Sequence, residues 1–447
     1  MRCALIAAVL IVLPLAAEPP KLAEPYRSLI DLAQGAPPEF AAVGILRVVE
    51  SGKLTDKDPR RDLVEQAFRL ASSATFHLRM RRLPGSLADT RSAYLGSAYN
   101  LKLDRLSLQS RAVRDMLPID GPEARELFQE ISQPTFAKLT CDDPLVYDVS
   151  DFYQTLGMIV DQTFTAKERG KEAHVNFLLD YLGQVTSAAQ LAPVARVIKS
   201  VGVTPDQREI LWVRFNGLLE SLQPDDRSFA AALPEISREL SPASQASFQI
   251  FRQRSTGCPD DAAPSVTLDL SKGQTKAGST PKEEPYWQTG SSKRLLEDGQ
   301  KLRYGSDSKP YSDAYRNTRE WQQQLADYMN ELANWSASEE KSEADYFHQK
   351  AVIYQALVEL TPPGAQRDKI LSAYLSFMTN SNLQQQSPVE WFEHAHSMLD
   401  SVRNTNTGEP GKLLDAFQTS GNPVLALFAA LERTFATKYP AWVRTSN

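Results

Sequence analysis

"PRRDLVEQAFRLASSATFHL", residues 59–78, places Leu63, Ala67, Leu70, Ala71, Ala74 and Leu78 three or four positions apart. That spacing predicts an amphipathic helix over 59–78 with one apolar face. The pattern recurs along the chain. Leu103, Leu106, Val113 and Leu117 predict a helix over 103–117, and Leu211, Phe215, Leu218 and Leu222 one over 207–222. Further on, Trp321, Leu325, Tyr328, Leu332 and Trp335 form one stripe, and Phe347, Ala351, Tyr354 and Val358 another. Aromatic stripes at this spacing read as core rather than as a carbohydrate-stacking face.

Helix starts share one signature. "APPEF" (36–40), "GPEARELF" (121–128), "SPASQASF" (241–248) and "SPVEW" (387–391) each put proline at or near the first helical position. The amide hydrogen that proline lacks is unpaired there in any case. Ser241 and Ser387 suit the N-cap, and Glu39 and Glu390 suit the positive end of the helix dipole. "ESGKLTD" (50–56), "LPG" (83–85) and "TPPG" (361–364) read as stops. The best strand pattern, Val266–Leu270, is too short and isolated to found a sheet. The expected fold class is all-α: an irregular α-α array, a degenerate solenoid or helical bundle, with no fixed repeat period.

The chain opens "MRCALIAAVLIVLPLAAEPP", with Arg2 before an apolar run over 4–13, Pro14, and small residues before Glu18. Ten apolar residues are too few to span a bilayer, which takes about 20. The segment 1–17 reads as a secretory signal peptide. Export to the periplasm or beyond follows as the expectation, with no membrane insertion after cleavage. Residues 254–289 are rich in Pro, Gly, Ser, Thr and charge, and read as a flexible linker. It divides the mature chain into helical regions 18–253 and 290–447. A formal net charge of −6 in 447 residues argues against a nucleic-acid partner, which takes a basic face.

The stretches "PEFAAVGILRVVESGKLTD" (38–56), "EQAFRLASSA" (65–74), "LKLDRLSLQSRAV" (101–113) and "LTCDDPLVYDVSDFYQ" (139–154) resemble a group of exported, solenoid-like helical proteins of bacteria, uncharacterised in activity. The resemblance covers about residues 26–200. It implies export and an all-helical fold, and carries over no mechanism.

Catalytic motifs are scarce. The chain has no G-x-S-x-G elbow, H-E-x-x-H, P-loop or G-x-G-x-x-G. Glu220-Ser221 lacks the continuation of a lytic transglycosylase and reads as solvated helix. Among five histidines (77, 174, 348, 394 and 396), "WFEHAH" (391–396) holds the one local pair. His394 and His396 point about 200° apart on a helix and cannot share an ion. Glu390 and His394, four apart, could pair or co-ligate, although an exposed ion-paired face is the plainer reading. Arg79, Arg81 and Arg82, beside His77, are candidates for a phosphate or lipid headgroup. Asp142, Asp143, Asp148, Asp260 and Asp261 are calcium candidates on carboxylate density alone; otherwise no cofactor is expected. Asp148 or Ser150 would equally cap a helix beginning near 151.

These features lean away from an enzyme. They point to a non-enzymatic exported protein that binds another protein or an envelope component through a helical surface. The alternative is a carboxylate-based hydrolase acting on an envelope or extracellular polymer. Cys141 and Cys258 are the only cysteines beyond the leader, 117 residues apart, and in an oxidising compartment they are expected to pair. A bridge closing that loop would stabilise the fold by about 4–5 kcal/mol. Alkylation of the denatured, exported protein should therefore label neither thiol before reduction and both after it. Two thiols reactive before reduction would contradict the pairing.

Overall fold

The computed structural model describes residues 23–82, 90–140, 143, 145–222, 227–240, 242–254, 290–305, 307–340, 342–381, 388–403 and 408–435. The expected leader, most of the linker, the strand pattern at 266–270, Ser241, Ser387, Cys141, Cys258, Asp142, Asp260 and Asp261 lie outside the described residues.

The fold is all-α, with one two-stranded antiparallel sheet among the described residues. The first region runs α1 (Tyr26–Gln34), α2 (Pro38–Glu50), α3 (Lys57–Ser72), β1 (Met80–Arg82), α4 (Thr90–Tyr99), α5 (Arg105–Met116), α6 (Gly121–Glu130), β2 (Leu145–Tyr147) and α7 (Ser150–Gln162). It continues through α8 (Ala166–Gly170), α9 (Ala173–Leu182), α10 (Leu191–Ser200), α11 (Pro205–Ser221), α12 (Arg227–Glu239) and α13 (Gln245–Arg254). The second comprises α14 (Gly290–Arg303), α15 (Asp313–Arg316), α16 (Arg319–Asn334), α17 (Glu343–Leu360), α18 (Ala365–Asn380), α19 (Pro388–Arg403), α20 (Glu409–Thr419) and α21 (Pro423–Thr434).

Most boundaries follow from local chemistry. Proline stands at the start of α2, α19 and α21, and at the second position of α6, where the Asp120 carboxylate accepts from the Glu123 amide. Gly52 ends the turn after α2 at φ +67°, and Gly364 precedes α18 at φ +146°, both in the region glycine favours. The helix expected over 59–78 stops at Ser72 instead. Thr75 donates its amide and hydroxyl to Glu39 Oε1 (2.6 and 2.8 Å), drawing the chain out of the helix and towards β1. Glu39 is itself buried, so it fastens this corner as well as opening α2. The β1–β2 ribbon pairs Met80 with Tyr147 and Arg82 with Leu145. Three-residue strands carry too little alternation to be read from sequence.

Neighbouring helices pack in pairs, but the two regions also meet. Phe392 of α19 lies against Phe40 of α2, with ring centroids 4.9 Å apart. Leu427 of α21 lies so close to Gly44 of α2 that a Cβ there would sit 3.3 Å from its methyls. Tyr26 at the start of α1 and Phe435 after α21 are 6.1 Å apart, and Arg47 covers the Phe435 ring. One continuous apolar core runs from Leu29 to Leu431.

Charges near this core are paired. Glu50 receives both the Nε and a terminal nitrogen of Arg111 (2.6 and 2.7 Å), and Arg47 at 3.0 Å. Asp115, one turn along α5, has its Oδ2 sealed from solvent with no hydrogen-bond partner among the described residues. Burial first, and the Glu50 charge next, push its carboxyl up to about 7. The folded state therefore prefers Asp115 protonated, against about 3.9 for a free aspartate. Stability from this group is full below about pH 4 and is lost as the pH rises towards 7, by up to about 1.4 kcal/mol per pH unit. Asp115→Asn should thus flatten the fall in urea-unfolding free energy over that window relative to the parent chain. Parallel pH profiles would contradict the assignment.

Candidate functional site

The sequence candidates are dispersed among the described residues. Arg79 pairs with Asp148 (3.2 Å) and Asp151 (3.1 Å), and Arg81 pairs with Glu235. Arg82 packs its chain against Gly96 on α4. Arg79 and Arg81 thus meet carboxylates of this chain rather than forming a bare cationic patch. Asp148 also accepts from the Ser150 amide at the start of α7 (3.0 Å). Burial would raise its carboxyl, but Arg79 and that amide overcome it and hold it below the usual range. Asp143 accepts from the amide and hydroxyl of Thr140, as in a tight turn. Asp151 is ringed by Arg79, Lys102 Nζ (2.9 Å) and Arg114, whose guanidinium donates to its backbone carbonyl. Glu220 is exposed in the last turn of α11, and His174 is buried in α9 beside Phe164.

The aromatic stripes are core. Trp321 Nε1 donates to the Leu302 carbonyl (3.0 Å), Tyr328 to Leu295 (2.8 Å) and Trp391 Nε1 to Met378 (3.0 Å). Their rings present no stacking face to solvent.

Two features do converge. The first is an open groove of about 650 Å³ between the segment 76–80, α4, the start of α5 and the extended segment 132–137. Phe76, Tyr99, Leu106, Pro134 and Tyr147 supply its apolar wall, with His77, Asp104, Arg105 and Gln109 as its main polar groups. Arg105 is tethered to Gln109 (3.3 Å) and Ser132 (3.2 Å). Asp104 caps α5 by accepting from the Ser107 amide (3.1 Å), leaving Oδ2 buried without a described partner. Burial raises its carboxyl above the ordinary aspartate range. A smaller cavity of about 330 Å³ lies among α14, α16 and α17, lined mainly by Leu296, Tyr328, Ile353 and Leu360.

The second feature is a buried cluster of His348 on α17 with Glu390 and His394 on α19. The expectation of an exposed ion-paired face around "WFEHAH" is corrected here. Glu390 is 2% exposed and His394 fully buried, because α4, α17, α18 and α20 pack around α19 and leave its outer face, with the exposed Asp400, away from both residues. His348 Nδ1 lies 3.1 Å from Glu390 Oε1. The His348 and His394 rings are 5.4 Å apart. Burial, reinforced by His348, holds the His394 imidazole well below the usual histidine range, so its neutral form dominates. His396, on the other side of α19, faces Asp400 and Phe428 and does not join the cluster. His348 escaped the sequence reading because it is distant in sequence. Its place next to Phe347, on the core stripe of α17, was the available signal.

Tyr99 links the two features. It lines the groove, and its phenol is raised first by burial and then by the Glu390 charge. Chemically, the groove can hold apolar groups with a few polar anchors, and the cluster can hold a cation or share protons. Among the described residues no helix is long and apolar enough to cross a membrane. No family model matches the chain, and no curated protein or solved structure is similar to it.

Proposed function

We propose that the protein works outside the cytoplasm as a non-catalytic binding protein, taking an extended polypeptide segment with apolar side chains into the groove beside the β1–β2 ribbon. The observation that carries this reading is the groove itself. It is open, about 650 Å³, walled by aromatic and aliphatic side chains, and edged by a few fixed polar groups. An open trough of this kind suits a chain segment, whose backbone can meet Arg105 and Gln133 while its side chains meet Phe76 and Tyr147. The apolar leader supports the compartment. The hydrolase alternative is less favoured. Acid–base hydrolysis of a polymer uses two carboxylates across one cleft, and Asp104 is the one carboxylate in the groove's described lining.

Random peptides displayed on phage and selected on the full chain test this. Binders with apolar residues at alternating positions are expected. Their affinity should fall at least tenfold for Thr135→Arg and Ala137→Arg, which fill the groove from exposed positions, and stay unchanged for Val213→Arg on the distant surface of α11. No selectable binders, or equal losses for all three variants, would overturn the reading.

A further inference from the structure

The cluster behind Tyr99 has a donor set of its own. One ligand-capable atom from each of His348, Glu390 and His394 lies within 4.8 Å of the other two. We propose that these three side chains hold a divalent first-row transition ion, with zinc the best fit, clamping α17 onto α19.

The chemistry of the donors comes first. Two neutral imidazoles and one carboxylate form a nitrogen-rich set that suits zinc and its neighbours, whereas calcium asks for six to eight oxygens. Geometry comes second. Bonds of about 2.0–2.1 Å around a four-coordinate ion put neighbouring ligand atoms about 3.3 Å apart. The 3.1 Å between His348 Nδ1 and Glu390 Oε1 already matches that edge. The 4.8 Å limit on the remaining separations leaves an adjustment of rotamer size. Placement comes third. Glu390 and His394 are one helical turn apart on α19, and so share a face. That turn is held by Trp391, bonded to Met378, and by Phe392, packed on Phe40 and Phe428.

Electrostatics points the same way. A carboxylate 2% exposed needs a cationic or donor environment. The two imidazole rings lie 5.4 Å apart beside that carboxylate. One divalent ion answers the carboxylate while using both imidazoles as neutral ligands. Full burial of His394 separates the ion from the groove, so its role is structural and is independent of the groove reading.

The test uses the full-length protein stripped with chelator and titrated with Co²⁺ and Zn²⁺. One equivalent of cobalt should bind with the intense visible bands of a four-coordinate site, zinc should displace it, and either ion should raise Tm. His394→Gln and Glu390→Gln should each weaken zinc binding at least 100-fold, while His77→Gln should leave it unchanged. For a variant that loses its helical circular dichroism, X-ray absorption of the zinc-loaded parent chain decides instead. Two imidazoles and one carboxylate in the first shell support the site, and a shell without imidazole overturns it. Binding below a tenth of an equivalent, or binding indifferent to both glutamine variants in folded protein, also overturns it.

Discussion

The structure depends on burying the broad apolar face of α19 between the two regions. Trp391, Phe392, Ala395, Met398, Leu399 and Val402 are all removed from water and fall on one broad stripe, with Asp400 exposed on the opposite side. A helix with so wide an apolar face must be covered along that face by other elements. Here α17, α18 and α20 cover it from the second region, while α4 and Phe40 of α2 cover it from the first. The two halves of the sequence are thereby drawn into one core. The same constraint forces Glu390 and His394, which share that helix, into an interior where polar atoms need partners.

Secondary contacts reinforce this arrangement. The first and last described helices meet where α1 and α2 pack on α21, so the described helical array closes on itself. Several carboxylates that reach the core are met by arginine or lysine, as at Glu50 with Arg111, Asp151 with Arg79 and Lys102, and Glu409 with Arg367. Removing one partner from such a pair leaves an uncompensated buried charge, which makes these corners sensitive although each pair contributes little by itself. The groove is formed where the short β1–β2 ribbon and the extended segment 132–137 interrupt the helical packing.

The helices were legible because each carries its own signals. Proline at α2, α6 and α19, glycine after α2, and apolar residues three and four apart located α2, α5, α6, α11, α16 and α19 within two or three residues. The aromatic stripes of α16 and α17 were legible as core for the same reason. What the sequence could not disclose is what depends on distant partners. Glu39 ends up serving Thr75 rather than only the dipole of α2. Arg79 looked like a free cation until Asp148 and Asp151 were folded against it. His348 joins Glu390 only because α17 crosses α19. Burial of "WFEHAH" was missed because its alternating polar letters resemble a surface, whereas tertiary packing buries all of its six residues but Glu393.

The central claim is that the two helical regions form one body around α19. A protease recognition sequence inserted after residue 270, cut in the purified protein, tests it most directly. The cut leaves Cys141 and Cys258 in the same fragment, so no bridge between them can hold the halves together. The account predicts that the two fragments stay together as a one-to-one complex through size-exclusion chromatography, with the helical signal of the uncut chain. Fragments that elute separately, each folded, would contradict it.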